Sequence, residues 1–249
     1  MLILENLIKN INLENRPLKK VSIGLYSVYV ENSDAAGLSS TLYFSENKNN
    51  CSHKHYYIKD AGLLQNLSGK EICERVFSDM TLEASVGMAA INSFINADLN
   101  TSECLKLNAF DLIAERSAGK TVGVIGHYPF MEKLKKIAAK LFVFDNSPKE
   151  DGDMHSSDIV NYLPECDTVA ITGTSMFNGT VESILKNVKK EAYKIMLGPS
   201  TPMSKIMFDF GFDALCGTIV VDKEKTLNYI SQAVSFKQIK GVEHLILKK

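Results

Sequence analysis

The second half of the chain repeats one pattern, and this repeat constrains the fold more than any other feature of the sequence. Each unit has a short apolar run, then glycine, hydroxyl or acidic residues, then a segment with apolar residues at helical spacing. Such short runs, closed by turn residues, are typical of buried parallel strands. The repeat therefore predicts an α/β fold with a Rossmann-like, doubly wound parallel sheet. The predicted strands cover residues 122–125, 141–144, 168–171, 195–197 and 215–221.

The segments between these runs are predicted helices, because their apolar residues recur three and four positions apart. They cover residues 131–140, 159–163, 181–188, 204–210 and 227–234. A further helix over residues 103–118 leads into the first of these strands.

The first hundred residues have a different order, with strands before helices. After a short amphipathic helix over 2–13, an apolar run over 21–30 and a strand over 38–44 are expected to pair antiparallel. A third strand is expected over 56–58. This order predicts a small α+β domain.

Two helices close this first region. Ser68 and Glu71 have the spacing of a capping box at the start of one. The other covers 82–97, where Gly87 and Ala89 are small enough for close packing on another backbone. The polar stretch that follows predicts a boundary near Asn100. We therefore expect a domain of residues 1–100 and a Rossmann-like domain of residues 101–249 that folds on its own.

Composition excludes several classes of partner. The chain has 249 residues, 45% hydrophobic and 23% charged, with a formal net charge of −1. A nearly neutral chain gives no electrostatic footprint for nucleic acid or for an anionic membrane. No apolar run approaches the roughly 18 residues that span a bilayer. Five cysteines without a Cys-x-x-Cys pair favour reduced thiols, and the acidic residue at Glu5 argues against a signal peptide. We expect a cytoplasmic protein.

Polar residues follow the predicted strands and form the candidate site. In a doubly wound sheet these loops meet at one edge, where such folds bind ligands. Singly, each residue can be explained as a cap of the following helix, as Thr180 would be. As a set without lysine or arginine, they favour a ligand-facing rim that is not a simple phosphate site. The residues are Gly126, His127, Asp145, Thr172, Gly173, Thr174, Asn178, Pro199, Ser200 and Thr201.

Three local motifs carry less weight. Residues 118–121 resemble the end of a P-loop but precede their strand, and residues 123–126 do not continue as a dinucleotide-binding glycine motif. Cys51, His53 and His55 alternate and could offer metal ligands on one face of a strand, although a polar loop explains them better. His155 and His244 have no partner nearby in sequence and are expected at the surface.

Several ordered motifs resemble one known family, the prokaryotic group described as "putative heavy-metal chelation" proteins. They are residues 82–92, 122–130, 171–180, 197–202 and 216–222, the last of which contains Gly217. The resemblance implies a first domain similar to the N-terminal domain of enolase, a Rossmann-like second domain, and a site between them. Glu83 and Asn92, on the first domain's helix, are then expected to face that site.

Three functional hypotheses follow. The first is binding of a transition or heavy metal ion, or of a small metal complex, with His127 and Asp145 as ligands and Gly173 allowing close backbone approach to the ligand. Because protons compete with the metal for an imidazole ligand, the affinity for the metal should fall as the pH decreases. The second is an enzyme with a nucleotide-type cofactor, Asp145 on its ribose and His127 as acid or base. The third is an interaction module. A homodimer is left open, and turnover is not decided.

Overall fold

The computed structural model describes residues 2–42, 58–148, 150 and 152–249. The Cys51–His55 cluster and most of the predicted strand over 56–58 lie outside the described residues. The N-terminal region begins with one helix and a three-stranded antiparallel sheet in the order β1-β2-β3. These elements are α1 (Leu2–Asn10), β1 (Leu18–Ile23), β2 (Ser27–Asn32) and β3 (Ala36–Ser40).

The apolar run over 21–30 is two strands, which corrects the prediction of one. The Gly24 N–H donates to the Ser27 carbonyl over 2.9 Å, and this turn reverses the chain between β1 and β2. The second predicted strand, over 38–44, is observed as β3 at 36–40 and does pair antiparallel.

Two helices complete the N-terminal region, as predicted. Helix α2 (Gly69–Glu74) begins with the expected capping box between Ser68 and Glu71. Helix α3 (Thr81–Asp98) packs on β2 and β3, and is buried along nearly its whole length. Gly87 lies directly against the backbone of Val76, so the close packing inferred from its size is confirmed.

The second region contains a seven-stranded sheet in the order β10-β9-β8-β7-β4-β5-β6. Its neighbours are parallel except for β10, which runs antiparallel to β9. All predicted strands are present, whereas β6 and β10 were not predicted. The strands are β4 (Thr121–Ile125), β5 (Lys140–Asp145), β6 (Met154–His155), β7 (Thr168–Thr172), β8 (Tyr193–Leu197), β9 (Ala214–Val220) and β10 (Val242–Lys248).

Helices flank this sheet, and most are shorter than predicted. Helix α4 starts at Ala109 because Leu105 pairs with Ile246 of β10 through hydrogen bonds of 2.8 and 2.9 Å. No helix in the described part of the chain is long and apolar enough to cross a bilayer. The helices are α4 (Ala109–Ser117), α5 (Met131–Lys135), α6 (Ile159–Tyr162), α7 (Val181–Asn187), α8 (Ile206–Asp209) and α9 (Lys223–Ser231).

The order of the strands locates the ligand-binding edge of the sheet. From β4 the chain moves to β5 and β6 on one side, and then returns to β7 on the other side. The loops after β4 and β7 therefore diverge at a topological switch point, where doubly wound sheets form a crevice for ligands.

The two regions share one hydrophobic core. A single cluster joins Val28 and Met88 of the N-terminal region to Phe144, Met196 and Leu215 of the large sheet. A second cluster packs Tyr29 and Leu38 of the small sheet against Ile230 and Ile239 near the chain's end. The interface between the regions is therefore largely apolar, and it places α3 and β3 next to the loops at the carboxyl edge.

Candidate functional site

The loop after β4 presents His127 at the switch point. Gly126 has φ +96°, a backbone conformation that favours glycine, and its N–H donates to the Phe144 carbonyl over 2.7 Å. The Asp145 carboxylate accepts the His127 N–H (3.2 Å) and the Ser147 N–H (2.9 Å). The structure thus brings His127 and Asp145 together as predicted, through the histidine's backbone.

Two carboxylates that the sequence did not indicate face the His127 ring. Nδ1 lies 2.9 Å from Asp153 Oδ2, and Nε2 lies 3.4 Å from Glu150 Oε1. The side chains of His127 and Asp153 are only 13% and 5% exposed, whereas that of Glu150 is 55% exposed. We call His127, Asp145, Glu150 and Asp153 the acidic rim.

The loop after β7 has a local network of hydroxyl groups. Thr172 Oγ1 lies 3.0 Å from Thr174 Oγ1. Asn178 Oδ1 accepts the N–H of Thr180 (3.1 Å) and its hydroxyl (2.7 Å). Thr180 makes no side-chain cap to α7, which corrects that expectation. The Asn178 side chain therefore stabilises the turn that it belongs to.

Gly173 packs against the loop after β8. A Cβ on Gly173 would lie 2.7 Å from Thr201 N and 2.8 Å from Ser200 C, which real contacts do not allow. The glycine is required for the close approach of the two loops, and its predicted contact with a ligand stays a prediction. We call Thr172, Gly173, Thr174, Ser200 and Thr201 the neutral rim.

The N-terminal region touches the neutral rim directly. Ser200 Oγ accepts the Ser40 N–H over 2.9 Å, and Asn92 Nδ2 donates to the carbonyls of Leu38 (2.9 Å) and Pro199 (3.4 Å). Asn92 therefore does face the loops of the large sheet, as predicted. Gly217 lies beneath the same loop, since a Cβ there would overlap the Met203 side chain.

Glu83 has a different role from the one predicted. Its carboxylate accepts the Lys59 N–H (2.7 Å), the Ser78 hydroxyl (2.7 Å) and the Arg75 guanidinium (2.9 Å). These partners all belong to the N-terminal region. A buried carboxylate must be paired, and here the pairing holds the segment before α3.

Tyr128 follows His127 in the loop after β4, at the edge of the sheet where the sequence places it. Its ring stacks on Phe130 with centroids 5.3 Å apart, and burial raises the pKa of its phenol. The phenol oxygen is buried, and Thr172 is its polar neighbour.

Cysteine ligation is not supported in the described residues. Cys73, Cys104, Cys166 and Cys216 are free thiols, and burial raises the pKa of Cys166 and of Cys216 to about 12. A protonated thiol is a poor metal ligand. No group of three or more His, Cys, Asp or Glu residues within the described ranges is arranged as a complete metal site. Both His155 and His244 are exposed, as expected.

Two cavities lie away from the acidic rim. An open groove of about 790 Å³ separates β1 from α9 and is lined by charges of both signs, including Lys20, Lys225 and Glu224. A smaller cavity of about 310 Å³ lies between the end of α3 and the segment after the neutral rim, lined by Leu99 and Met203 among others.

Two family models match the chain, and both carry the description "putative heavy-metal chelation". One covers residues 4–95 and the other residues 108–248. An uncharacterised protein of Methanocaldococcus jannaschii is 31% identical over 192 residues, which are 74% of this chain and 71% of that protein.

Two solved structures are similar to this chain over nearly its whole length. A protein of unknown function from Desulfitobacterium hafniense, assigned to the family matched by residues 108–248, has a TM-score of 0.82 at 26% identity, covering 99% of this chain and 97% of that one. A Pyrococcus horikoshii protein of the same family has a TM-score of 0.80 at 21% identity, covering 99% and 98%. The latter likeness concerns the fold alone.

Proposed function

Because this chain belongs to the family described as "putative heavy-metal chelation", we propose that it binds a divalent transition-metal ion, bare or in a small complex, at His127. The observation that carries the proposal is the contact of 2.9 Å between His127 Nδ1 and Asp153. A carboxylate on one ring nitrogen fixes the tautomer of a metal-binding histidine and leaves the other nitrogen as the ligand.

The remaining nitrogen, Nε2, faces Glu150, and the spacing fits a shared ion. Imidazole nitrogen and carboxylate oxygen each bind zinc-like ions at about 2.1 Å, so two ligands at tetrahedral angles lie about 3.4 Å apart. The observed separation of Nε2 from Glu150 Oε1 is 3.4 Å. Nitrogen and carboxylate donors also suit borderline divalent metals such as zinc and nickel. The ligands proposed are thus His127 and Glu150, with Asp153 as the positioning residue.

Asp145 takes a supporting role in this proposal. Both of its carboxylate oxygens accept backbone N–H groups, from His127 and from Ser147. It therefore fixes the loop that carries the imidazole. The free, buried thiols support a reducing location such as the cytoplasm.

Calorimetric titration with Ni²⁺ and Zn²⁺ tests the proposal. We expect His127→Asn to weaken binding at least tenfold while the protein stays folded, because the Asp153 carboxylate still accepts the Glu150 N–H over 3.2 Å. His155→Asn is the matched control, since the His155 residue is exposed and its ring bonds Ser157 in its own turn. Equal affinities for wild type and His127→Asn would refute the assignment.

Asp153→Asn and Glu150→Gln separate positioning from ligation. Loss of a histidine-orienting carboxylate costs about 10–100-fold in metal affinity, so Asp153→Asn should weaken binding while the bound ion keeps an imidazole ligand. That ligand can be followed from the ligand-field spectrum of bound Co²⁺. Glu150→Gln should instead change the Co²⁺ spectrum, because it removes a ligand. In both variants the metal affinity should still fall as the pH decreases, because protons compete with the metal for the imidazole.

A further inference from the structure

The cavity of about 310 Å³ lies where the two regions meet, and the described residues that line it belong to neither rim. It opens between the end of α3 and the segment that follows the neutral rim, so both regions contribute to its walls. Ligand pockets often form at such junctions between domains, and their volumes start at roughly 300 Å³. The cavity therefore has room for a small molecule.

The floor of this cavity is apolar. Ile95, Met203 and Leu247 are buried members of the main hydrophobic core, and the half-buried Ile11 and Leu99 pack against that core. All five side chains are aliphatic or a thioether, so the floor offers neither a charge nor a hydrogen bond. An apolar group of a ligand would leave water by packing here, which is favourable.

The mouth of the cavity carries an ion pair. Lys205 and Glu103 contact each other while their side chains remain 69% and 42% exposed. Asn100 Nδ2 donates to the Glu103 carboxylate over 3.2 Å and holds it in place. Asp98 also lines the cavity, but Arg16 pairs with it over 2.7 Å. Since an exposed ion pair contributes little to stability, a ligand that contacts both charges can separate them easily.

We propose that this cavity binds a free aliphatic α-amino acid such as leucine. The ammonium group of the ligand contacts Glu103, its carboxylate contacts Lys205, and its side chain packs on the apolar floor. A ligand of single charge would leave Glu103 or Lys205 without an opposite charge. This site is separate from the metal site proposed at His127.

Calorimetric titration of the full chain with leucine, without added metal, tests the ligand class. Three analogues each lack one part of the ligand: isocaproate has no ammonium group, isopentylamine has no carboxylate, and glycine has no aliphatic side chain. Each analogue should bind at least tenfold more weakly than leucine. Failure of leucine to bind, or equal affinity for leucine and any one of the analogues, overturns the proposal.

Lys205→Gln and Glu103→Gln test the two polar contacts. Each should weaken leucine binding at least tenfold and leave the melting temperature nearly unchanged, because the ion pair is exposed. Lys106→Gln is the matched control: Lys106 pairs with Glu243 over 2.8 Å at exposures of 70% and 39%, and neither residue lines the cavity. This variant should bind leucine as tightly as wild type does. Unchanged leucine affinity in Lys205→Gln or Glu103→Gln, or an equal loss in Lys106→Gln, overturns the assignment.

Discussion

The acidic rim and the neutral rim occupy the same edge of one sheet, but they are built differently. The acidic rim holds one imidazole among three carboxylates, and Glu150 reaches solvent. The neutral rim contains no charged side chain, and its Ser200 and Thr201 are buried against the N-terminal region. Charge near solvent can attract a cation without stabilising the fold, whereas buried hydroxyls and glycine determine how the two regions fit together. Substitutions in the two rims should therefore have different consequences.

Separating the two regions should have the largest effect. Residues 101–249 expressed alone would lose the apolar partners that Val28 and Met88 supply to the shared core. We expect the fragment to show no cooperative thermal transition under conditions where the full chain does. The sequence alone predicted the opposite outcome, and a sharp calorimetric transition in the fragment would show that the neutral rim forms without the N-terminal region.

Gly173→Val should destabilise the protein strongly. The new side chain would meet the backbone of Ser200 and Thr201, which cannot move aside as a side-chain end would. Overpacking of this kind costs about 3 kcal/mol in the free energy of unfolding, measurable by denaturant titration. Gly119→Ala is the comparison, since Gly119 has φ +68° but open space around it, and its cost should be only about 1 kcal/mol. Similar costs at both positions would mean that the loops are not in contact.

Glu83→Gln should lower stability and leave metal binding unchanged. The substitution removes the buried charge that pairs with Arg75 and weakens the contacts to Lys59 and Ser78. Loss of such a pair costs about 2 kcal/mol. Denaturant titration measures the first effect and Ni²⁺ calorimetry the second. A loss of Ni²⁺ affinity at unchanged stability would place Glu83 in the site after all.

The smallest effect is expected for an ion pair outside both rims. Arg16 donates to Asp98 over 2.7 Å, and this hydrogen bond lowers the pKa of Asp98 below its ordinary value of 3.8. A carboxyl group whose pKa is lowered on folding stabilises the folded state at pH values above its ordinary pKa. This contribution is lost as the pH falls through the pKa of the folded state. Since Asp98 is half-exposed, Asp98→Asn should cost only about 0.5 kcal/mol at pH 7 and nothing near pH 2. A cost that persists in acid would rule out the charge as its cause.

Sequence periodicity was sufficient to predict the inner strands of the large sheet and insufficient to predict its two outer strands, β6 and β10. The strands from β4 to β9 carry apolar runs with turn residues after them, apart from the two-residue β6, which is too short to show a period. Strand β10 lacks the following helix that marks the other units of the repeat, so the pattern did not indicate it. Leu105 was predicted in a helix because nothing local reveals its pairing with Ile246. Such pairing depends on the tertiary fold, which overrides local preference.

The site shows the same division. His127, Asp145 and the neutral rim follow strands, so the topology alone placed them at one edge. Glu150 and Asp153 lie between β5 and β6, where the sequence has no apolar period that could place them. Glu83 was assigned to the site from a family motif. In the structure it pairs with Arg75, and nothing in the sequence pattern indicated that the two side chains meet.

The contact of the small sheet with the last helix has a consequence for the rate of folding. Tyr29 and Leu38 pack against Ile230 and Ile239, which lie near the opposite end of the chain. Contacts between residues so distant in sequence require closure of a very long loop before they yield any stabilisation, and such topologies fold slowly. During synthesis the apolar face of β2 and β3 stays uncovered until α9 is complete. We therefore expect this protein to refold slowly from denaturant and to depend on chaperones when it is produced rapidly.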